Sequence, residues 1–471
     1  MPENAELLKH KNWDSRVKTA LNDLILTYGG QKNAYAVFDF DNTTGLFDIE
    51  HQLLIYQLMT MAFAMRPTEI RETLLTGIKN PAPYEALLDD IETAYALLWR
   101  LSDGLDGTMR DFERYKKMPI WQEFAVKMRY MFSLVSDLED DYVGNLFPLV
   151  WFRGMTGQQV YDLSFASHTY FAKQTTKVVQ WVSPKEIDSH FGQCQCRWVR
   201  GVGSTPNIAE LWQTLRRNGI DVHVCSASAT IPVQAALDAF GLRRFCSGMT
   251  GVNLKTDENG RILPQVDGQK GWLFNTKSGW QEGEHPLQVM PIREGKTKAI
   301  LQGLCPVYHQ GPLAGFMDST GDVPFCTAFD SLKLVVCFNR ASGSPREGGA
   351  IIAALSEFQR KKLEYDLKKA NAAGDTLYVL QGRDETGLRS LRPSPKTRRV
   401  VADGVLKEIL YKGQENEEME RYMCERCEST SQALEFFLPE TNLPNELGFA
   451  FGIAGEKTSG YHAIYSQEGA F

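Results

Sequence analysis

Hydrophobic and polar positions follow two rhythms along the chain. Between Trp13 and Tyr28, Val17, Ala20, Leu21, Leu24 and Ile25 recur at three- and four-residue spacing, the stripe of an amphipathic helix closed by Gly29-Gly30. Ala34 to Phe38 is a short continuous apolar run ended by turn formers, which predicts a strand buried on both faces. From about Ile49 to about Gly201 helical spacing takes over, and helices are predicted over 49–65, 67–77, 84–101, 110–117, 121–135 and 156–173. Strand and helix then alternate again: helix 206–217, strand 220–225, helix 231–240, helix 296–304, strands 313–317 and 332–338, helix 349–370 and strand 376–381. The stretch from 241 to about 284 is polar and rich in Gly, with a hairpin turn expected at Asp257-Glu258-Asn259-Gly260. Beyond about Ser394 the pattern weakens, and the charge runs at 396–399 and 415–420 read as solvated surface.

The rhythm divides the chain. An α/β core is expected from 1–45 and 202–394 together, built on a parallel sheet. It is interrupted by a helical domain over 46–201 and followed by an extension over 395–471 whose role the sequence does not declare. A length of 471 residues allows two or three cores. A hydrophobic share of 43% and a charged share of 23% are ordinary for a globular chain. The net charge of -7 provides no general basic field, so nucleic acid is not expected as a partner. No apolar run reaches the roughly 18 residues that span a bilayer, so no membrane partner is expected either. The N-terminus lacks an apolar targeting core, which points to the cytoplasm, or to secretion or the periplasm if a leader has been removed. The nine cysteines are an odd number and argue against a complete disulfide framework. Cys424-x-x-Cys427 and Cys194-x-Cys196 would form a four-sulfur zinc site only if they met in space.

Four signals fall at strand ends or helix starts of the α/β part. They are Asp39-x-Asp41-x-Thr43, Ser226, Lys296 and Asp318-x-x-x-Asp322. Residues alternate faces along a strand, so Asp39 and Asp41 can project to one side while Phe40 goes to the other. Two carboxylates that close demand a cation or a shared proton. A carboxylate such as Asp39 can attack phosphorus, and an acid two residues on can protonate the leaving oxygen and then deprotonate water. Ser226, Thr43 and the backbone near Ala227 can hold phosphate oxygens, and Lys296 near a helix start offsets the negative charge. Lys298 competes for that role, but Lys296 directly after Gly295 fits better. Asp318 and Asp39, with the backbone at Asp41, supply the hard oxygens Mg²⁺ prefers, and Asp322 would orient a bound water or Lys296.

This order of motifs resembles the haloacid dehalogenase superfamily of phosphotransferases. A helical insertion straight after the first motif is similar to the phosphoserine phosphatase-like branch. Within that branch, Phe38-Asp39-Phe40-Asp41-Asn42-Thr43-Thr44, and Cys337-Phe338-Asn339-Arg340 followed by a long helix, look like bacterial phosphorylcholine phosphatases. The resemblance covers roughly residues 13 to 390. It implies a Rossmann-like core with a parallel sheet, a large inserted all-helical cap and a C-terminal extension. It also implies a Mg²⁺-dependent phosphomonoester hydrolase working through an aspartyl-phosphate, with Asp39, Asp41, Asp318 and Asp322 around the metal. One departure is Met317, which stands where that superfamily carries Gly before Asp318.

The expected substrate is a small phosphomonoester, with phosphorylcholine or a related amino-alcohol phosphate first. Asp48 and Glu50 lie where a carboxylate could meet a substrate amine, although both also suit the positive end of a helix. Trp151 and Phe152 are the leading aromatics for a cage around a quaternary ammonium. The alternatives are a phosphatase for another metabolite, such as phosphoserine or a sugar phosphate, and a phosphate-sensing or interaction protein.

Overall fold

The computed structural model of the protein describes residues 7–101, 116–287, 289–338, 348–384, 387–388, 392–393, 400–401 and 413–435. Most of the predicted helix 110–117, the charge run 396–399 and most of the extension lie outside them.

The first helix, α1 (Ser15–Tyr28), starts at Asp14, whose carboxylate accepts the Arg16 N–H. It turns Val17, Leu21, Leu24 and Ile25 onto the sheet. Strand β1 (Tyr35–Phe38) is buried at all four positions, which is why its sequence is a continuous apolar run rather than an alternating one. The chain then leaves the sheet, and the described residues form the α-helices α2 (Ile49–Thr60), α3 (Ile70–Leu74), α4 (Glu85–Leu101), α5 (Pro119–Leu138), α6 (Asp141–Val150) and α7 (Gly157–Phe171).

The inserted segment is not all-helical. It closes with an antiparallel hairpin, β2 (Lys177–Val182) and β3 (Gln195–Arg200). Trp181 and Trp198 meet edge to face at 5.4 Å across it, an aromatic pairing that outweighs the surrounding helical composition. Leu54, Leu58, Phe63, Tyr95, Phe124 and Trp151 are joined in a core that belongs almost wholly to the insertion.

The α/β part resumes with α8 (Pro206–Arg217), β4 (Asp221–Ala229), α9 (Thr230–Ala239) and β5 (Gly248–Val252). A small hairpin of β6 (Leu254–Thr256) and β7 (Ile262–Val266) follows, turning at the expected Asp-Glu-Asn-Gly. The Gly-rich stretch then forms two strands that the sequence pattern did not suggest, β8 (Gly271–Thr276) and β9 (Gly279–Pro286). Next come α10 (Glu294–Gly303), β10 (Ala314–Met317), β11 (Leu334–Phe338), α11 (Gly348–Lys362), α12 (Leu367–Ala372) and β12 (Leu377–Gln381). The helix expected over 349–370 is thus two, parted at Glu364, which sits in the left-handed region at φ 54°. Two further helices, α13 (Gly413–Arg426) and α14 (Thr430–Glu435), complete the described chain.

Eight strands form one sheet in the order β12-β11-β10-β1-β4-β5-β8-β9. The six from β12 to β5 are parallel, and β8 and β9 add on antiparallel. Helices cover both faces. Ala36 and Phe38 of β1 pack with α1, α8 and α9, whereas Tyr35 and Val37 pack with α10, α11 and the two last helices. The result is a Rossmann-like α/β architecture. Sequence order runs outward in opposite directions on the two sides of β1, so the crevice at its carboxyl end is the place where such sheets bind ligands.

Candidate active site

Asp39 is the first residue beyond β1. Its N–H still reaches Phe316 O at 3.0 Å, so the backbone is held by the sheet while the side chain projects past it. The chain then makes one wide turn over Phe40–Thr44, closed by Gly45 N–H to Phe40 O at 2.8 Å. Thr44 Oγ1 donates to the Asp39 carbonyl at 2.7 Å, and Thr43 Oγ1 donates to Asp39 Oδ2 at 3.0 Å. Asp318 follows the end of the neighbouring strand β10, and Asp322 comes four residues later. Lys296, on the first turn of α10, completes the group. Its Nζ lies 2.6 Å from Asp39 Oδ1 and 2.5 Å from Asp322 Oδ1.

One carboxylate oxygen each from Asp39, Asp318 and Asp322 lies within 4.8 Å of the others, and all three residues are buried. Three carboxylates crowd one ammonium, a costly arrangement away from water that a bound cation would relieve. The all-oxygen donor set and its crowded negative charge fit a hard divalent ion such as Mg²⁺. Burial pushes the Asp39 carboxyl well up, and Asp322 and Asp318 add to this while Lys296 opposes it. Burial works against the charged form of Lys296, but Asp322 and Asp39 outweigh it and hold the ammonium charged.

Asp41 points elsewhere. Its Oδ1 accepts the Ile49 N–H at 2.8 Å and its Oδ2 accepts the Ser228 hydroxyl at 2.6 Å. Burial and the nearby Asp48 raise it well above the usual carboxylate range, which favours a proton on this acid. Its carboxylate is outside the three-acid cluster, so of the four expected metal residues only three converge through their side chains. Glu50 sits behind Asp41 with Oε1 2.5 Å from the Ala229 N–H, and burial pushes it up to about 8.

Asp39, Asp41, Lys296, Asp318 and Asp322 border one cleft together with Asp48, Glu50, Ala227 and Ser228. The opposite wall is built by the insertion. Arg129, Phe132 and Ser133 come from α5, and Asp141 and Asn145 from α6. Phe132 stands between the Arg129 guanidinium, 4.9 Å from its ring centroid, and the His51 ring at 4.8 Å. Arg293, just before Lys296, forms an ion pair with Asp141 and so joins the two walls.

The sequence-derived set is only partly gathered here. Lys298 is exposed, leaving Lys296 as the lysine among the carboxylates. Thr43 supports Asp39 from behind and does not border the cleft. Ser226 is fully buried, and its Oγ accepts the Ser228 N–H at 3.1 Å; the hydroxyl that borders the cleft is that of Ser228. Trp151 and Phe152 do not line the cleft either. Trp151 packs in the insertion's own core, and Phe152 packs with Leu53, Leu149 and Val160. Large aromatic rings bury more apolar area than they could as cleft walls. The two cysteine pairs stay apart: Cys194 and Cys196 pack against Val126, whereas Cys427 lies under α11. Ser228, Arg129 and Arg293 were not singled out from sequence. The alternation along β4 offered a signal for Ser228, two residues after Ser226, but nothing local marks a single arginine on a distant helix.

No family model matches the chain, and no curated protein does. Among solved structures, a conserved functionally unknown protein from Anaerococcus prevotii DSM 20548 is similar, with a TM-score of 0.63 and 24% identity over 82% of this chain and 97% of that one. This likeness shows a shared fold. A protein with unknown function from Bordetella pertussis Tohama I aligns with a TM-score of 0.30 and 14% identity over 74% of this chain and 99% of its own.

Proposed function

We propose that the protein is a Mg²⁺-dependent phosphomonoester hydrolase of the haloacid dehalogenase superfamily, working through an aspartyl-phosphate on Asp39 in a core capped by residues 46–201. The observation that carries this reading is the convergence of Asp39, Asp318, Asp322 and Lys296 beyond the central strands, with a separately held acid, Asp41, at the same cleft.

Asp39 attacks phosphorus and the bond to the leaving oxygen breaks, while Asp41 gives that oxygen its proton. Asp41 then takes a proton from water, whose oxygen attacks phosphorus and frees Asp39 and inorganic phosphate. Burial favours a proton on Asp41 for the first step, and the bonds from Ile49 and Ser228 keep it aimed. Lys296 offsets charge at Asp39. The Ala227 backbone, which borders the cleft, offers a donor to phosphate oxygens, while the Ser228 hydroxyl and N–H are engaged by Asp41 and Ser226. Mg²⁺, held by Asp39, Asp318 and Asp322, would neutralise the phosphoryl group and the carboxylates around it.

Phosphorylcholine or a related amino-alcohol phosphate is the first substrate reading, resting on the Asp48 carboxylate at the cleft, since burial favours a proton on Glu50. The second, another small metabolite phosphate such as phosphoserine or a sugar phosphate, is favoured by the polar wall of Arg129, Ser133 and Asn145. The test is kcat/KM with Mg²⁺ across phosphorylcholine, phosphoethanolamine, phosphoserine, sugar phosphates and p-nitrophenyl phosphate, repeated with chelator. Chelator-sensitive turnover supports the hydrolase. Absence of turnover on every ester, with Mg²⁺ present, would sink it. A lasting phospho-Asp39 without release would favour the phosphate-sensing alternative.

A further inference from the structure

The turn that presents Asp39 and Asp41 is not self-sufficient. Asn42 lies in the left-handed region at φ 59° and Phe47 does so at φ 64°, two non-glycine residues in strained backbone within six positions. Such residues persist only where their surroundings over-determine them. Within the turn the backbone supplies Asn42 N–H to Phe47 O at 3.2 Å and Gly45 N–H to Phe40 O at 2.8 Å. Leu46 N–H reaches Gly203 O at 2.7 Å, and Ser204 Oγ donates to Thr44 O at 3.0 Å. These bonds leave the Asn42 carbonyl, directly after Asp41, to be held by something else.

It is held by Arg383, from the far end of the sequence. Arg383 lies two residues past β12, its Nη1 donates to Asn42 O, and its guanidinium sits 5.9 Å from the Phe47 ring centroid. The side chain is buried at 6% exposure, a costly position for a guanidinium. Its base is fixed as well. The Gln381 side chain accepts the Asp14 N–H at 2.9 Å and donates to Asn12 O at 3.1 Å, tying the end of β12 to the start of α1. One planar cation thus reaches both strained residues, a double contact that a lysine cannot reproduce.

We propose that Arg383 is a positioning residue, acting through the Asn42 carbonyl and the Phe47 ring to hold the turn in which Asp39 and Asp41 face one cleft. Its kinetic consequence rests on the phosphatase reading, but its structural consequence does not.

The experiment compares wild-type protein with Arg383→Met and Arg383→Lys. It measures kcat and KM for p-nitrophenyl phosphate with Mg²⁺, and amide hydrogen exchange by peptide. Arg383→Met is expected to lower kcat at least about tenfold, because the reacting groups are misaligned rather than removed. KM should stay within about twofold, the signature of a lost transition-state alignment. Exchange should quicken across 39–47 while α5 keeps wild-type protection, and Arg383→Lys should recover part of kcat. Unchanged exchange across 39–47 would overturn the proposal, as would unchanged kcat in an active enzyme. A loss of activity with uniformly faster exchange would mark general destabilisation and overturn it too. If the wild type hydrolyses no phosphate ester, the phosphatase reading fails alone, and local exchange across 39–47 then decides for or against Arg383.

Discussion

Lys296 stands between two buried carboxylates, 2.6 Å from Asp39 and 2.5 Å from Asp322. Removing it by Lys296→Ala leaves both acids buried beside each other and near Asp318, so the variant should lose about 3–5 kcal/mol in urea unfolding. A loss under about 1 kcal/mol would mean that water already reaches the pair. Asp39→Asn keeps the shape and most hydrogen bonds of its site but removes the nucleophile. Turnover should fall on the order of 10⁴-fold with a native melting curve, and retained activity would reject the assignment. Glu50 offers a third test. Its folded pKa, about 8, lies above its usual 4.5, so the folded protein binds the extra proton. Stability should therefore decline as pH rises through that window, by at most about 1.4 kcal/mol per pH unit. Glu50→Gln removes the titration, so wild type should lose ground to the variant between pH 5 and pH 8. A constant difference across those pH values would show that Glu50 stays ionised. Asp39, Asp41, Asp318, Asp322 and Lys296 were legible because each sits at a strand end or helix start, within a short motif. Trp151 and Phe152 misled because an aromatic beside a Gly looks the same in sequence whether it lines a cleft or fills a core.

Helix α10 carries Lys296 on its first turn, so its start fixes where the ammonium goes. Arg293 occupies φ 49°, Gly295 N–H closes on Ile292 O at 2.7 Å, and Lys296 N–H reaches Arg293 O at 2.9 Å. A Cβ on Gly295 would lie 1.9 Å from the Met290 carbonyl oxygen, and backbone on both sides must move to admit it. Gly295→Ala should cost about 1–3 kcal/mol, as an overpacked site does, and lower kcat because Lys296 moves with the turn. Unaltered kcat would show that α10 can shift without its lysine. The elements themselves were unevenly legible. Strands β1, β10 and β11 are covered on both faces and read as plain apolar runs. Strands β8 and β9 extend the sheet antiparallel, and β9 is largely exposed. Its Gln281, Glu282, Gly283, Glu284 and His285 leave no apolar signal. The β2–β3 hairpin was missed because it lies inside a segment read as helical from its neighbours, and β2 is half-exposed or exposed throughout, so no buried apolar run marks it.

At the scale of the whole molecule, the question is whether the chain after 394 can be separated from the α/β part. The sequence left the role of this extension undeclared, and its 415–420 charge run reads as solvated surface. The structure joins it to the α/β part. Met423, Cys427 and Ala433 are fully or almost fully buried in the same cluster as Ile352, Leu355, Phe358 and Tyr378. Gln359 ties the contact to the sheet, accepting the Tyr378 N–H at 3.0 Å and donating to Thr430 Oγ1 at 3.1 Å. That cluster also contains Tyr35 and Val37 of β1, the strand that delivers Asp39. Each large apolar side chain withdrawn from such a core forfeits about 1.5–3 kcal/mol, and exposure of its former partners adds to the loss. Folded domains are stable by only about 5–15 kcal/mol. A chain ending at 394 should therefore melt several degrees lower, bind a hydrophobic dye, and lose turnover in proportion to its unfolded fraction rather than through KM. Equal melting of the two chains, with equal kcat/KM, would instead make α13 and α14 a detachable layer. The few buried residues that decide this are spaced along one face of each helix, too sparse among Glu, Arg and Gln to register as periodicity. Their importance comes from the apolar ground beneath them, which only the folded chain assembles.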